Sequence, residues 1–153
     1  MEILDARLRC KICKSEFQIE DGIARLLPPL LSAEDQHEMN IRDSIDYDCT
    51  NMGPFIPLAD GWRSVFSDKL EVPTHLKELQ ISQSNSVLEL ACGDGRFTVL
   101  IAETGARILA VDFSINALRL LAHRLPAGSR VGRVQATSIN CISLVNRLIV
   151  RCL

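Results

Sequence analysis

The chain has 153 residues, 47% of them hydrophobic and 24% charged, with a net charge of −2. That composition is globular rather than disordered, and the length allows one ordinary domain or a small module plus part of one. No basic stripe runs along it, so tight electrostatic binding to nucleic acid is not implied, and no run of roughly 20 apolar residues is present to span a membrane.

Met1 to Arg7 lacks a basic stretch followed by an apolar one, so it is not a secretory signal. Six cysteines are a modest number for this length, and Cys92 lies in a glycine loop. A reducing, cytoplasmic setting is therefore expected rather than a disulfide framework.

Three regions follow in chain order. Residues 1–31 carry Cys10-Lys11-Ile12-Cys13 and end in Leu26-Leu27-Pro28-Pro29-Leu30-Leu31. Residues 32–68 are polar and then turn-rich, which predicts one short helix at about 33–47 and an irregular connector. Residues 69–153 are regular. Pro73 to Gln80 predicts a helix with Pro in its first turn and Leu76 and Leu79 on one face. Ser82 to Ser86 is a polar turn. Val87-Leu88-Glu89-Leu90-Ala91 and Arg107-Ile108-Leu109-Ala110-Val111 are short apolar runs that suit buried parallel strands.

Between those runs, Arg96 to Thr104 reads as a helix closed by Gly105. Ser114 can cap the next helix, whose apolar positions are Ile115, Leu118, Leu121, Ala122 and Leu125, and Pro126 stops it. Arg130 to Gln135 predicts a third strand. The alternation of strand and helix implies an α/β fold with a parallel sheet and right-handed crossovers. His75 and His123 fall on helix surfaces.

The chemistry concentrates in Glu89-Leu90-Ala91-Cys92-Gly93-Asp94-Gly95-Arg96-Phe97, which leaves a strand and opens a helix. Glycines there let the chain turn sharply and let a ligand approach with no Cβ in the way, at the strand end where open α/β sheets bind ligands. Asp112 ends the second strand, where a carboxylate can accept from both hydroxyls of a ribose. Dinucleotide sites place a third glycine where this chain has Thr98, and Glu89 would repel a pyrophosphate. A sulfonium nucleoside carries cationic groups and no phosphate, so acids suit it. Cys92 reads as a small loop residue rather than a nucleophile.

Val87 to Arg96 resembles the first motif of class I S-adenosylmethionine (SAM)-dependent methyltransferases, with Ala91 at the first glycine position, and Ala110 to Ser114 resembles their second motif. The resemblance implies a Rossmann-like SAM-binding domain of which this chain holds strands one to three of the parallel sheet. It implies that Glu89, Ala91, Gly93 and Gly95 flank the methionine moiety, that Asp112 binds the ribose, and that Phe113 packs on the adenine. The methyl acceptor, a small molecule or RNA, is not specified. Two other classes remain open: a non-catalytic fragment, and a nicotinamide-dependent oxidoreductase half-domain.

Leu8 to Pro28, with Cys10 and Cys13, resembles the second half of a zinc ribbon found before some bacterial methyltransferase domains. A structural zinc needs four ligands. No second Cys-x-x-Cys exists, and His37 and Cys49 match no ribbon spacing. Met1 is therefore expected to be an internal or late start, with zinc bound weakly or not at all.

Beyond Gln135 the family pattern stops. Codons for Ala136 to Cys152 can be chosen so that a shifted frame encodes A-D-I-D-Q-L-H-F-x-G-E-S-F-D-R-A-L, with the missing acid and F-D at the family's spacing. A one-base deletion near Ala136 is the expectation, which the gene sequence tests. An incomplete sheet would leave the first strand's free side as an open apolar edge and a route to self-association.

Overall fold

The computed structural model describes residues 7–9, 14–44, 70 and 72–137. Six strands and four helices occur there: β1 (Arg7–Arg9), β2 (Glu16–Glu20), β3 (Ile23–Arg25), α1 (Ala33–Asp43), α2 (Val72–Leu79), β4 (Ser86–Leu90), α3 (Arg96–Glu103), β5 (Arg107–Asp112), α4 (Ile115–Arg124) and β6 (Arg130–Gln135). The strands form one mixed sheet in the order β1-β2-β3-β6-β5-β4. None of the helices among the described residues is long and apolar enough to cross a membrane.

The carboxyl-terminal part follows the predicted order of elements, but β4 is not the buried strand expected, since Leu88 and Leu90 are exposed at the end of the described sheet. β4, β5 and β6 are parallel, with Leu88 opposite Leu109 and Leu109 opposite Gly132. Odd and even positions of β5 serve different faces. Ile108 and Ala110 join Ile101, Ala102, Leu118 and Leu121 in a core under α3 and α4, whereas Leu109 packs on Val111, Val134 and Ala136 on the opposite face. Leu118, Leu120 and Leu121 are fully buried, each a contribution of about 1.5–3 kcal/mol. Ser114 caps α4 by accepting from the Ala117 N–H at 3.2 Å, and Pro126 follows its end. Gly105 takes a positive φ of 78° just beyond α3.

Three further features differ from the sequence expectations. The front of the chain does not stand apart from a parallel sheet. β1 and β2 and then β2 and β3 pair antiparallel, and β3 then pairs parallel with β6, Ala24 opposite Val134. Asp21 and Gly22, both at positive φ, make the two-residue turn that suits a tight hairpin. Leu79 does not share the buried side of α2 with Leu76; it is exposed, because α2 ends there. α4 is enclosed on more than its predicted stripe, since Ala117 and Leu120 are also buried. Asp43 at the end of α1 reaches α4, accepting from Ser114 Oγ at 2.7 Å and, through its carbonyl, from Asn116 Nδ2 at 2.9 Å. Cys10, Cys13, Cys49 and residues 138–153, with the zinc and shifted-frame expectations that rest on them, lie outside the described residues.

Gly95 is the packing joint between the β4–α3 bend and α4. Its φ is 95°, and a Cβ there would lie 2.3 Å from Leu121 Cδ1, inside the core. Gly93 has a φ of 56° but open space where its Cβ would be. Gly93→Ala is therefore expected to cost about 1 kcal/mol of backbone strain. Gly95→Ala adds overpacking and is expected to cost roughly 2–4 kcal/mol. Urea unfolding of the two variants checks the order, and equal losses would contradict the Leu121 contact.

Candidate functional site

The carboxyl ends of β4 and β5 meet at the bend between β4 and α3. The chain leaves β4 through Ala91, whose φ of 57° is left-handed, and turns again at Gly93 and Gly95. An alanine in that conformation carries strain that a glycine would not. Cys92 N–H donates to Val111 O at 3.1 Å, which holds the bend against β5. Gly95 N–H donates to Cys92 O at 3.0 Å, and Val99 N–H to Gly95 O at 3.0 Å opens α3.

Asp112 organises this end. Its Oδ2 accepts from the Gly93 N–H at 2.7 Å and its Oδ1 from the Ser114 N–H at 2.9 Å. Each oxygen keeps a further lone pair, so the carboxylate can still accept from a ligand's hydroxyls. Glu89, the fourth residue of β4, turns toward α3, where its Oε2 accepts from Thr98 Oγ1 at 2.6 Å. Burial raises the Glu89 carboxyl above its ordinary value of 4.5, the Thr98 hydroxyl opposes that rise, and the charge of Asp112 adds to it. The Cys92 thiol is pushed far up, first by burial and then by the charges of Asp112, Glu89 and Asp94. It stays a thiol at neutral pH, so the small-loop-residue expectation fits its surroundings.

Of the residues singled out in the sequence, Glu89, Ala91, Gly93, Gly95 and Asp112 lie together at this edge. Phe113 follows Asp112 and is half-buried, and its carbonyl accepts from Gln135 Nε2 at 3.1 Å. Among the described residues no group of three or more His, Cys, Asp or Glu is placed to hold a metal ion.

Several supporting contacts escape sequence reasoning. Thr98, noted only for breaking a glycine pattern, is fully buried and is the partner of Glu89. Asp94 forms an ion pair with Arg124 of α4, whose side chain is only 8% exposed. Gln135, 1% exposed, links the Phe113 carbonyl to Arg25 Nε of β3, which donates to its Oε1 at 3.1 Å. These pairs join residues 30 and 110 positions apart, beyond the reach of local patterns.

No model of a known protein family matches the chain, and no curated protein matches it. Solved structures similar to it include magnesium protoporphyrin IX methyltransferase from Synechocystis PCC 6803 with bound SAM, at 13% identity over 72% of this chain and 56% of that one, with a TM-score of 0.48. A SAM-dependent methyltransferase from Anabaena variabilis is similar at 18% identity over 72% of this chain and 41% of that one, with a TM-score of 0.41. A TehB-like SAM-dependent methyltransferase from Corynebacterium glutamicum is similar at 16% identity over 51% of this chain and 41% of that one, with a TM-score of 0.37. The chain thus spans between 41% and 56% of the length of these structures.

The raised Glu89 carboxyl has a consequence for stability. A carboxyl held higher in the folded than in the unfolded state favours folding below its ordinary value, and that contribution is lost as pH rises through the folded value. Glu89→Gln keeps an acceptor for Thr98 and removes the titration. Its stability relative to the parent chain is expected to improve as pH rises above the ordinary value of 4.5 and to level off once pH passes the folded value. Urea unfolding at a series of pH values measures the gap, and a gap independent of pH would count against a buried Glu89.

Proposed function

We propose that this chain binds S-adenosylmethionine at the carboxyl edge of β4 and β5 and derives from a SAM-dependent methyltransferase whose methyl acceptor is undefined. One observation carries the proposal. Two carboxylates, Glu89 and Asp112, converge on a glycine bend with open space above Gly93, and the Asp112 carboxylate is fixed there by the Gly93 and Ser114 N–H groups. The acids suit a ligand with an ammonium and a sulfonium and disfavour one with a pyrophosphate, which ranks the nicotinamide alternative lower.

In this reading Asp112 would accept from the ribose hydroxyls. Ala91, Gly93 and Gly95 would leave room for the methionine moiety, and Phe113 would pack against the adenine. Glu89 would act mainly through its charge, since Thr98 already holds its Oε2. SAM supplies the chemistry: attack by an acceptor lone pair on the sulfonium methyl breaks the carbon–sulfur bond and leaves S-adenosylhomocysteine. This chain's residues contribute placement and exclusion of water. No protein nucleophile is needed, so the inert Cys92 thiol is no objection. A non-catalytic fragment differs in having no cofactor site.

Isothermal titration with SAM and S-adenosylhomocysteine separates these readings. The expected result is one site for both and no heat with NADH. Asp112→Asn keeps a side-chain oxygen for one of the two N–H groups but removes the charge, and it is expected to weaken both ligands by about 10–100-fold. No heat from a folded chain with either sulfur nucleoside overturns the proposal.

A further inference from the structure

β4 is the terminal strand of the sheet that the described residues form. Arg107 N–H donates to Asn85 O at 3.0 Å, which fixes the phase of the strand. Backbone groups alternate sides along a strand. Asn85, Val87 and Glu89 therefore direct theirs toward β5, and Ser86, Leu88 and Leu90 direct theirs away from it. Among the described residues no strand pairs with that outer row. The side chains of the same three residues share one face of the sheet, where Leu88 is 37% and Leu90 48% exposed.

Edge strands are commonly guarded by lysine, proline or a bulge. The β4 sequence, Ser-Val-Leu-Glu-Leu, has no lysine or proline and pairs with β5 residue for residue. Its one charge, Glu89, lies on the opposite face, held by Thr98.

We propose that β4 is a self-association edge, which pairs antiparallel with β4 of a second copy about a two-fold axis at Leu88. That register sets Leu88 against its own copy, Ser86 against Leu90, and Val87 against Glu89. All five residues of each strand are paired, and the three outward-directed residues all fall in hydrogen-bonded pairs. Other registers do worse. A slip by one residue turns the leucine face of one copy onto the Glu89 face of the other. An axis at Glu89 places two carboxylates opposite each other. An axis at Val87 puts Leu90 opposite Ser84, which lies in the turn before β4. The strand thus complements itself in hydrogen bonding and keeps the two Glu89 carboxylates apart. With only five residues to pair, the dimer is weak and assembles at micromolar concentration or above. It leaves the Asp112 carboxylate and the glycine bend uninvolved, so it stands or falls separately from cofactor binding.

Sedimentation velocity of the full chain over a wide concentration range tests this, with a concentration-dependent monomer–dimer equilibrium expected. Leu88→Lys and Leu88→Glu each place like charges across the axis, and each is expected to be monomeric. Their equimolar mixture places Lys against Glu and is expected to recover the dimer. Ser86→Pro deletes one outward N–H at the first position of the strand, where proline is tolerated, and weakens the dimer without a buried change. It decides the matter if circular dichroism shows either Leu88 variant unfolded. A parent chain that stays monomeric throughout overturns the proposal, as does a dimer that survives Leu88→Lys or a mixture that fails to recover it.

Discussion

The Asp112 carboxylate holds the glycine bend, the end of β5 and the start of α4 in one arrangement. Its two oxygens take the N–H groups of Gly93 and Ser114, and its carbonyl takes the N–H of Ala136 beyond β6. Bonds from amides to a charged acceptor are worth about 1.5–3 kcal/mol each, more than a neutral pair. The carboxylate therefore sets the path of the bend before any ligand arrives. The same carboxylate thus closes the loop around itself and keeps its remaining lone pairs at the strand end.

Charge around the bend is uneven. Glu89, Asp94 and Asp112 all act on the Cys92 thiol, and burial adds to their effect. Asp94 is matched by Arg124, which reaches it from the last turn of α4. The remaining excess is negative and sits where β4 and β5 end. A cation is favoured there for the same reason that a thiolate is not.

Much of this was legible in the sequence. The apolar run of β5 is buried on both faces, so its composition marks it, whereas the equally apolar run of β4 leaves Leu88 and Leu90 exposed. Ser114, Gly105 and Pro126 punctuate the helices as their chemistry dictates. The rest depends on partners distant in the chain. β3 has three residues, too few for a period, and only its pairing with β6 makes it part of the sheet. Asp21-Gly22 makes the hairpin turn, but a two-residue turn says nothing of where the hairpin docks. Leu79 obeys helical spacing and is nevertheless exposed, because spacing cannot tell where a helix runs past its core. The Thr98 and Arg124 partnerships arise from folding rather than from any local motif.

The hairpin is bound to the α/β layer through the fully buried Ile23 and through polar groups as well. Arg133 of β6 is 8% exposed and donates to the Asp21 carbonyl at 2.9 Å and the Leu118 carbonyl at 3.4 Å. It bridges the hairpin turn and α4. The Arg119–Asp21 pair nearby is more exposed at 3.3 Å and contributes little by comparison. Leu26 N–H extends the β3–β6 ladder onto Gln135 O, while Arg25 holds the Gln135 side chain that in turn holds the Phe113 carbonyl. Without β3 the buried Arg133 and Gln135 would each lose a partner inside low-dielectric surroundings, at a cost of order 1–3 kcal/mol each. The front hairpin and the carboxyl end of β5 are thus linked through Gln135, and the Phe113 carbonyl is held by a chain of bonds that begins at Arg25, more than eighty places before it.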